Sequence, residues 1–181
     1  MSTNLWHDIP RGKNTPEEFN VIVEIPKLSY NKYEIDKETG LIALDRANYS
    51  SAPYPFDYGF VPQTLWEDGD PLDVLLLTTF PLFPGVLVKA RPVAIMEMID
   101  SGDSDYKVIA VPIEDKRFDD IKDLGDLNKH MIKEFVHFFE TYKALNGKDA
   151  VVTINGVKGK KEAIEAFEKS VRLYTEKFSQ K

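Results

Sequence analysis

A mainly β domain, closed into an antiparallel barrel with helices packed outside it, is the fold class this sequence predicts. Three observations carry that expectation. Apolar and polar residues alternate over short stretches through the first two-thirds of the chain. Glycine and proline punctuate these stretches, at Gly69, Pro71, Pro81, Pro84, Gly85 and Gly102. In the last third the apolar spacing changes to threes and fours, the helical period. Helices do not alternate with strands, which argues against a doubly wound parallel sheet.

The first strand is expected over 19–25, where Phe19, Val21, Val23 and Ile25 alternate with Asn20, Ile22 and Glu24 before Pro26 ends the run. Residues 32–36 alternate too, placing Lys32 and Glu34 on one face and Tyr33 and Ile35 on the other. Glu38-Thr39-Gly40 reads as a turn into a partner strand over 41–46. Further strands are expected over 73–77, 86–88, 93–98 and 107–111. Met131, Phe135, Phe138, Tyr142 and Leu145 mark an amphipathic helix over 128–145, with Gly147 as its stop. A short β segment over 150–154 follows. Ala163, Phe167, Val171, Tyr174 and Phe178 then define a second helix from about 160 to the end.

The length, 181 residues, suits one domain covering 1–181, and 43% apolar residues can fill its core. With no cysteine, a disulfide scaffold, a Cys-ligated metal and a cysteine nucleophile are excluded. Three histidines, His7, His130 and His137, are too few for a His-rich zinc site. His130 and His137 stand about 10.5 Å apart along a helix, too far to chelate one ion, so packing or an interface is their expected role. The net charge of −7 does not attract nucleic acid or anionic lipid. No signal peptide is expected at the N-terminus, and the longest aliphatic run, 74–77, is far short of the roughly 20 residues that span a bilayer. A cytoplasmic chain with no membrane partner is the expectation.

The densest chemical signal is Glu67-Asp68-Gly69-Asp70-Pro71-Leu72-Asp73, three carboxylates at i, i+2 and i+5 around a tight turn that runs into an apolar strand. Hard oxygen ligands on such a turn suit Mg²⁺. An EF-hand loop does not fit: counted from Asp68, the sixth position is Asp73 rather than glycine and the twelfth is Thr79 rather than glutamate. A second acidic segment, Asp100-Ser-Gly-Asp103-Ser-Asp105-Tyr-Lys107, also lies between strands, where a polar hairpin is the plain alternative. Tyr54 and Tyr58 also read as core aromatics, and Lys32, Arg46 and Lys107 as exposed strand charges. Gly156-Val-Lys-Gly159 lacks the spacing of a phosphate-binding loop.

Asp68-Gly-Asp-Pro-Leu-Asp73-Val resembles the signature of soluble family I inorganic pyrophosphatases. Val-Glu24-Ile-Pro, Lys32-Tyr-Glu34-Ile-Asp, Leu-Asp45-Arg46, Tyr54-Pro, Asp-Tyr58-Gly, Arg91-Pro-Val and Phe-Phe-Glu-Thr-Tyr142-Lys143 resemble further segments of that family, in order, from about 10 to 145. The resemblance implies an OB-like closed five-stranded barrel with additional strands and two packed helices. It implies hydrolysis of pyrophosphate to two phosphates with several Mg²⁺ ions. By this resemblance Asp68, Asp73 and Asp105 hold a first metal, and Asp73 also bridges to a second. Asp70 is the general base, and Asp100 and Asp105 hold a third metal. Glu34 and Glu24 hold metals directly or through water. Lys32, Arg46, Tyr58, Lys107, Tyr142 and Lys143 bind phosphate oxygens, and Tyr54 lines the site. Relatives often carry an acid where this chain has Ser101, with Asp103 as the candidate substitute. Small members of the family are often hexamers, so a homo-oligomer is implied.

Charge arithmetic agrees. Seven of these carboxylates against four cations leave about −3, which repels pyrophosphate until about three Mg²⁺ ions reverse the sign. Two other readings stand beside this one: a two-metal phosphohydrolase acting on nucleotides, and a non-enzymatic OB-type nucleic-acid binder, which the net charge opposes.

Overall fold

The structure is a computed structural model, and it describes residues 3–147 and 151–178. In chain order the strands are β1 (Phe19–Ile25), β2 (Asn31–Ile35), β3 (Ile42–Ala47), β4 (Asp57–Phe60), β5 (Asp73–Leu76), β6 (Leu87–Asp100), β7 (Asp103–Ser104) and β8 (Lys107–Pro112). Helix α1 (Lys129–Thr141), β9 (Val152–Gly159) and helix α2 (Lys160–Phe178) complete the fold. No helix among the described residues is long and apolar enough to cross a membrane.

Hydrogen-bonded pairing runs β1–β4–β5–β8–β6 and returns from β6 to β1, a closed ring of five strands. The expected five-stranded closure and the two packed helices are present. The pairing is not wholly antiparallel, because β5 and β8 run parallel. A ring with an odd number of strands cannot alternate direction all the way round, so at least one pair must be parallel. That pair sets Asp73 beside Lys107.

The runs expected over 86–88 and 93–98 are one strand of 14 residues. Pro92 does not end it, because the register shift between Pro92 and Ala94 absorbs the missing N–H. The first half of β6 closes the ring on β1, and its second half pairs with β9. Sequence reasoning did not assign β4, reading its Tyr58 as a core aromatic or, by the resemblance, as a phosphate-binding residue. The strand is four residues long, and Gly59 is its close-approach point: a Cβ there would lie 2.0 Å from the Ile22 carbonyl oxygen.

β1 is buried on both faces rather than one. Its nominally polar face is covered as well: Ile22 packs with Trp6, Ile35 and Phe60. The buried Glu24 accepts the Ile35 N–H at 2.7 Å. α1 starts as expected, with Asn128 Oδ1 accepting from His130 N at 2.8 Å. It ends at Thr141, short of 145, because the chain tightens into turns from Ala144 N to the Thr141 carbonyl and from Asn146 N to the Lys143 carbonyl. That ending leaves Tyr142 and Lys143 at the helix terminus, facing the cleft described below. β9 is longer than the segment expected over 150–154, continuing through Gly156 to Gly159, which therefore lie in a strand and not a loop; residue 150 is outside the described residues. α2 covers the expected span as far as Phe178, with the remainder likewise outside.

Two aromatic-rich layers hold the helices to the ring. Phe56 meets Phe135 edge to face at 5.0 Å beneath α1, and Phe19 stacks on Phe167 of α2 at 5.4 Å.

Candidate active site

A cleft of about 790 Å³ opens at one end of the ring, and all fourteen residues singled out by sequence line it. Four parts of the chain supply most of them.

The first is the turn before β5. Gly69 takes φ +90°, a conformation glycine adopts without strain, and its N–H bonds the Trp66 carbonyl at 3.1 Å. Trp66 N–H donates to the Asp70 carbonyl at 2.6 Å, and Asp70 N–H to Asp68 Oδ1 at 3.0 Å. The turn thus aims Asp68 and Asp70 into the cleft, and the first residue of β5 adds Asp73.

The second is the β6–β7 hairpin and the entry to β8, which bring Asp100, Asp105 and Lys107. Asp105 N–H is tied to the Met98 carbonyl at 3.0 Å. The two acidic loops, whose meeting no spacing could reveal, converge because β5 and β8 are neighbours. Lys107 Nζ lies 2.7 Å from Asp73 and 2.7 Å from Asp105, and 3.0 Å from the Tyr58 hydroxyl. Tyr58 O–H donates to Asp73. Ser101 takes φ +53° and its hydroxyl bonds Asp100 at 3.0 Å.

The third is the β2–β3 hairpin. Lys32 and Arg46 are cross-strand partners, and Glu34 lies 2.6 Å from Lys32 Nζ. Between them stands Asp45, 2.8 Å from Lys32 and 2.5 Å from Arg46. Sequence reasoning gave Asp45 no role in the site, since alternation puts neighbours 45 and 46 on opposite faces. A register shift at Lys32/Tyr33 skips Asp45 in the pairing and frees it to face both cations. The hairpin tip adds Lys37, also not anticipated, which pairs with Asp70. The fourth part is the end of α1, where Lys143 pairs with Asp100 and Tyr142 lies beside Phe138. Glu24, from β1, and Tyr54 complete the wall; Tyr54 is 2% exposed, so its reading as a core aromatic and its place on the cleft both hold.

Burial, neighbouring carboxylates and Lys107 set the protonation of the cleft's acids. Burial pushes Asp68 up to about 7, reinforced by Asp73 and Asp105 against the Asp70 N–H. Burial likewise pushes Asp73 up to about 6, with Lys107 pulling the other way. Glu24 is raised by burial and by Asp73. Asp105 is partly buried, yet Lys107 outweighs that and holds it below the usual range. For Lys107 burial opposes the charge, but Asp105 and Asp73 prevail and raise its pKa. Tyr54 is pushed up to about 12 by burial, which keeps its hydroxyl protonated. Among the described residues no three acidic or imidazole side chains already close on a single point. Lys107 holds Asp73 and Asp105 in their place.

His130 lies outside the cleft, on the exposed side of α1, with Glu134 at 3.8 Å.

Comparison with known proteins is consistent along most of the chain. The sequence model of the inorganic pyrophosphatase family matches residues 21–175. The chain is 47% identical to the inorganic pyrophosphatase of Haloferax volcanii over 176 residues, covering 97% of this chain and 99% of that one. It is 46% identical to soluble inorganic pyrophosphatase 1 of Arabidopsis thaliana, over 97% of this chain and 82% of the relative. The crystal structure of the inorganic pyrophosphatase of Thermus thermophilus superposes with a TM-score of 0.92 at 45% identity, covering 96% of this chain and 99% of that one.

Proposed function

This chain belongs to the inorganic pyrophosphatase family and hydrolyses pyrophosphate to two orthophosphates, and we propose that it does so with Asp70 as general base and Mg²⁺ held by the carboxylates around it. The observation that carries this reading is the convergence of Asp68, Asp70, Asp73, Asp100 and Asp105 with Lys32, Arg46, Lys107 and Lys143 on one cleft.

The donor set fits a hard divalent cation. The chain has no cysteine and no histidine lines the cleft, so the donors are oxygens. The carboxyls of Asp68 and Asp73, raised first by burial and then by neighbouring carboxylates, are ones that a bound cation would return to the ionised form. On this reading Asp68, Asp73 and Asp105 would hold one ion, Asp73 would also serve a second, and Asp100 and Asp105 would hold a third. Glu24 and Glu34 support them directly or through water. When bound, Mg²⁺ supplies charge neutralisation and a lowered pKa for the attacking water.

The protein's own groups do the rest. Asp70 is half-exposed at the cleft, and its carboxylate accepts the proton of the attacking water. Lys37 beside it holds the carboxylate in place. Arg46 and Lys32, clamped by Asp45, grip oxygens of one phosphoryl group. Lys107, Lys143 and the hydroxyls of Tyr58 and Tyr142 take the others, and Tyr54 shapes the wall. Both ends of the substrate are thereby fixed for in-line displacement, with the developing charge on the leaving phosphate met by cations.

The same reading takes 1–181 as one domain, cytoplasmic and homo-oligomeric. A hexamer follows by family resemblance, with α1 as a candidate contact surface. Pyrophosphate and phosphate are its partners; nucleic acid and membrane are not, which the net charge of −7 supports.

Phosphate release from pyrophosphate and from ATP, each with Mg²⁺, tests the reading. Pyrophosphate should be strongly preferred. Equal rates would favour the nucleotide phosphohydrolase. Arg46→Lys should lose at least about tenfold in kcat/KM, roughly 1.4 kcal/mol, because a point charge replaces a planar fork. Wild-type kinetics for that variant would return Arg46 to an ordinary strand charge.

A further inference from the structure

The sheet fixes only part of the carboxylate array. The β5–β8 ladder begins at Asp73 and Lys107, so Asp68, Asp70 and Asp105 all precede it. Asp105 rests on one main-chain bond to Met98. Ahead of the ladder Trp66 joins the two acidic loops, and its neighbour Glu67 also bonds Ser104.

Trp66 is 4% exposed. Its Nε1–H donates to Ser104 Oγ at 3.2 Å, and its ring stacks on Tyr106 with centroids 5.3 Å apart. Its main chain belongs to the other loop, bonded to Asp70 and Gly69. Ser104 sits in β7 opposite Ile99, and Asp103 opposite Asp100, so a hold on Ser104 is a hold on the hairpin carrying Asp100 and Asp105. From behind, Lys169 of α2 lies 4.7 Å over the Trp66 ring and 2.8 Å from Glu67. The α2 carbonyl of Ser170 accepts the Leu65 N–H at 3.0 Å. Trp66 also packs in the core cluster under α2, with Leu72, Val74 and Phe167. Filling that core needs only an apolar side chain of adequate size. The bond to Ser104 and the stack on Tyr106 do something the core does not require.

We propose that Trp66 is a positioning residue: held on Ser104 and Tyr106, it sets the spacing between the 67–73 turn and the 100–105 hairpin, and so tunes the affinity of the cleft for its divalent cation. This rests on the carboxylate reading of the cleft given above. A few tenths of an ångström between loops matters here, because hard-cation sites hold their oxygens within a narrow distance range, and supporting groups around metal ligands typically affect affinity by about 10–100-fold.

The test is Mg²⁺ binding by titration calorimetry without substrate, with thermal melting in EDTA to establish folding. The proteins are wild type, Trp66→Leu, Trp66→Phe, Ser104→Ala and, as reference, Asp73→Asn. Trp66→Leu should weaken Mg²⁺ binding by about tenfold or more. Ser104→Ala and Trp66→Phe should each weaken it by about threefold, since both lose the same hydrogen bond and keep a ring in place. KM for pyrophosphate at saturating Mg²⁺ should stay near wild type. A folded Trp66→Leu with wild-type Mg²⁺ affinity overturns the proposal. If Trp66→Leu does not fold, Ser104→Ala and Tyr106→Leu decide, and unchanged affinity in both overturns it. Asp73→Asn separates the two levels. If it weakens binding and the Trp66 and Ser104 variants do not, only the brace fails. If Asp73→Asn binds as wild type, the carboxylate reading fails and the brace with it.

Discussion

Replacing Asp70 with asparagine should lower kcat by about 10²–10⁴-fold while leaving Mg²⁺ binding nearly unchanged. Asparagine keeps the shape of the side chain but cannot take a proton. Asp70 lies at the cleft surface, paired with Lys37 of the β2–β3 tip, and the turn that carries it is held by main-chain bonds of Trp66, Gly69 and Asp70 that the substitution leaves intact. The fold therefore tolerates the change. At high pH, ionisation of the water itself replaces part of the missing base, so the variant's rate should climb more steeply with pH than that of the wild type. The measurement is initial phosphate release against pH at saturating Mg²⁺. A near-normal rate across the range would remove Asp70 from the chemistry.

Asp73→Asn should fail differently. Asp73 is half-buried against Lys107 and Tyr58, and as the proposed metal ligand it would give charge that a neutral amide cannot. Mg²⁺ affinity should fall by about 10–100-fold or more, at least the range seen for groups one step further from a metal. Much of the lost rate should return at high Mg²⁺. Titrating the rate against Mg²⁺ for both variants separates the roles. Rescue of Asp70→Asn but not of Asp73→Asn would mean the two are reversed.

What could be read before the structure follows from how local each feature is. Asp68, Asp70 and Asp73 fall within one turn, so their joint orientation is a short-range property of Gly69 and Pro71. Lys32 and Glu34 share a face by strand alternation alone. Helix α1 announces itself by the spacing of its apolar residues. Asp45 was not legible, because a bulge overrides the alternation that would have turned it away. Lys37 was not legible either, since its partner Asp70 is distant in sequence and the contact depends on where the hairpin tip falls. The parallel β5–β8 pair is a property of ring closure and not of either strand's residues, yet it is what brings the two acidic loops to one place. β6 looked like two strands because Lys89-Ala90-Arg91-Pro92 interrupts the apolar run, and only pairing shows that a bulge accommodates Pro92. The family resemblance supplied the grouping that spacing could not.

Dependence on the divalent cation tests the account most directly. Phosphate release from pyrophosphate should vanish in EDTA and return with added Mg²⁺, because the cleft without metal is lined by ten carboxylates against five cations and repels a polyanion. The pH dependence has a definite sign. Asp68 at about 7 and Asp73 at about 6 hold protons below those values, and Mg²⁺ must displace them. The Mg²⁺ concentration giving half-maximal rate should therefore rise as pH falls from about 8 to about 5.5. Full activity in EDTA, or a Mg²⁺ requirement that does not change over that interval, would contradict the account.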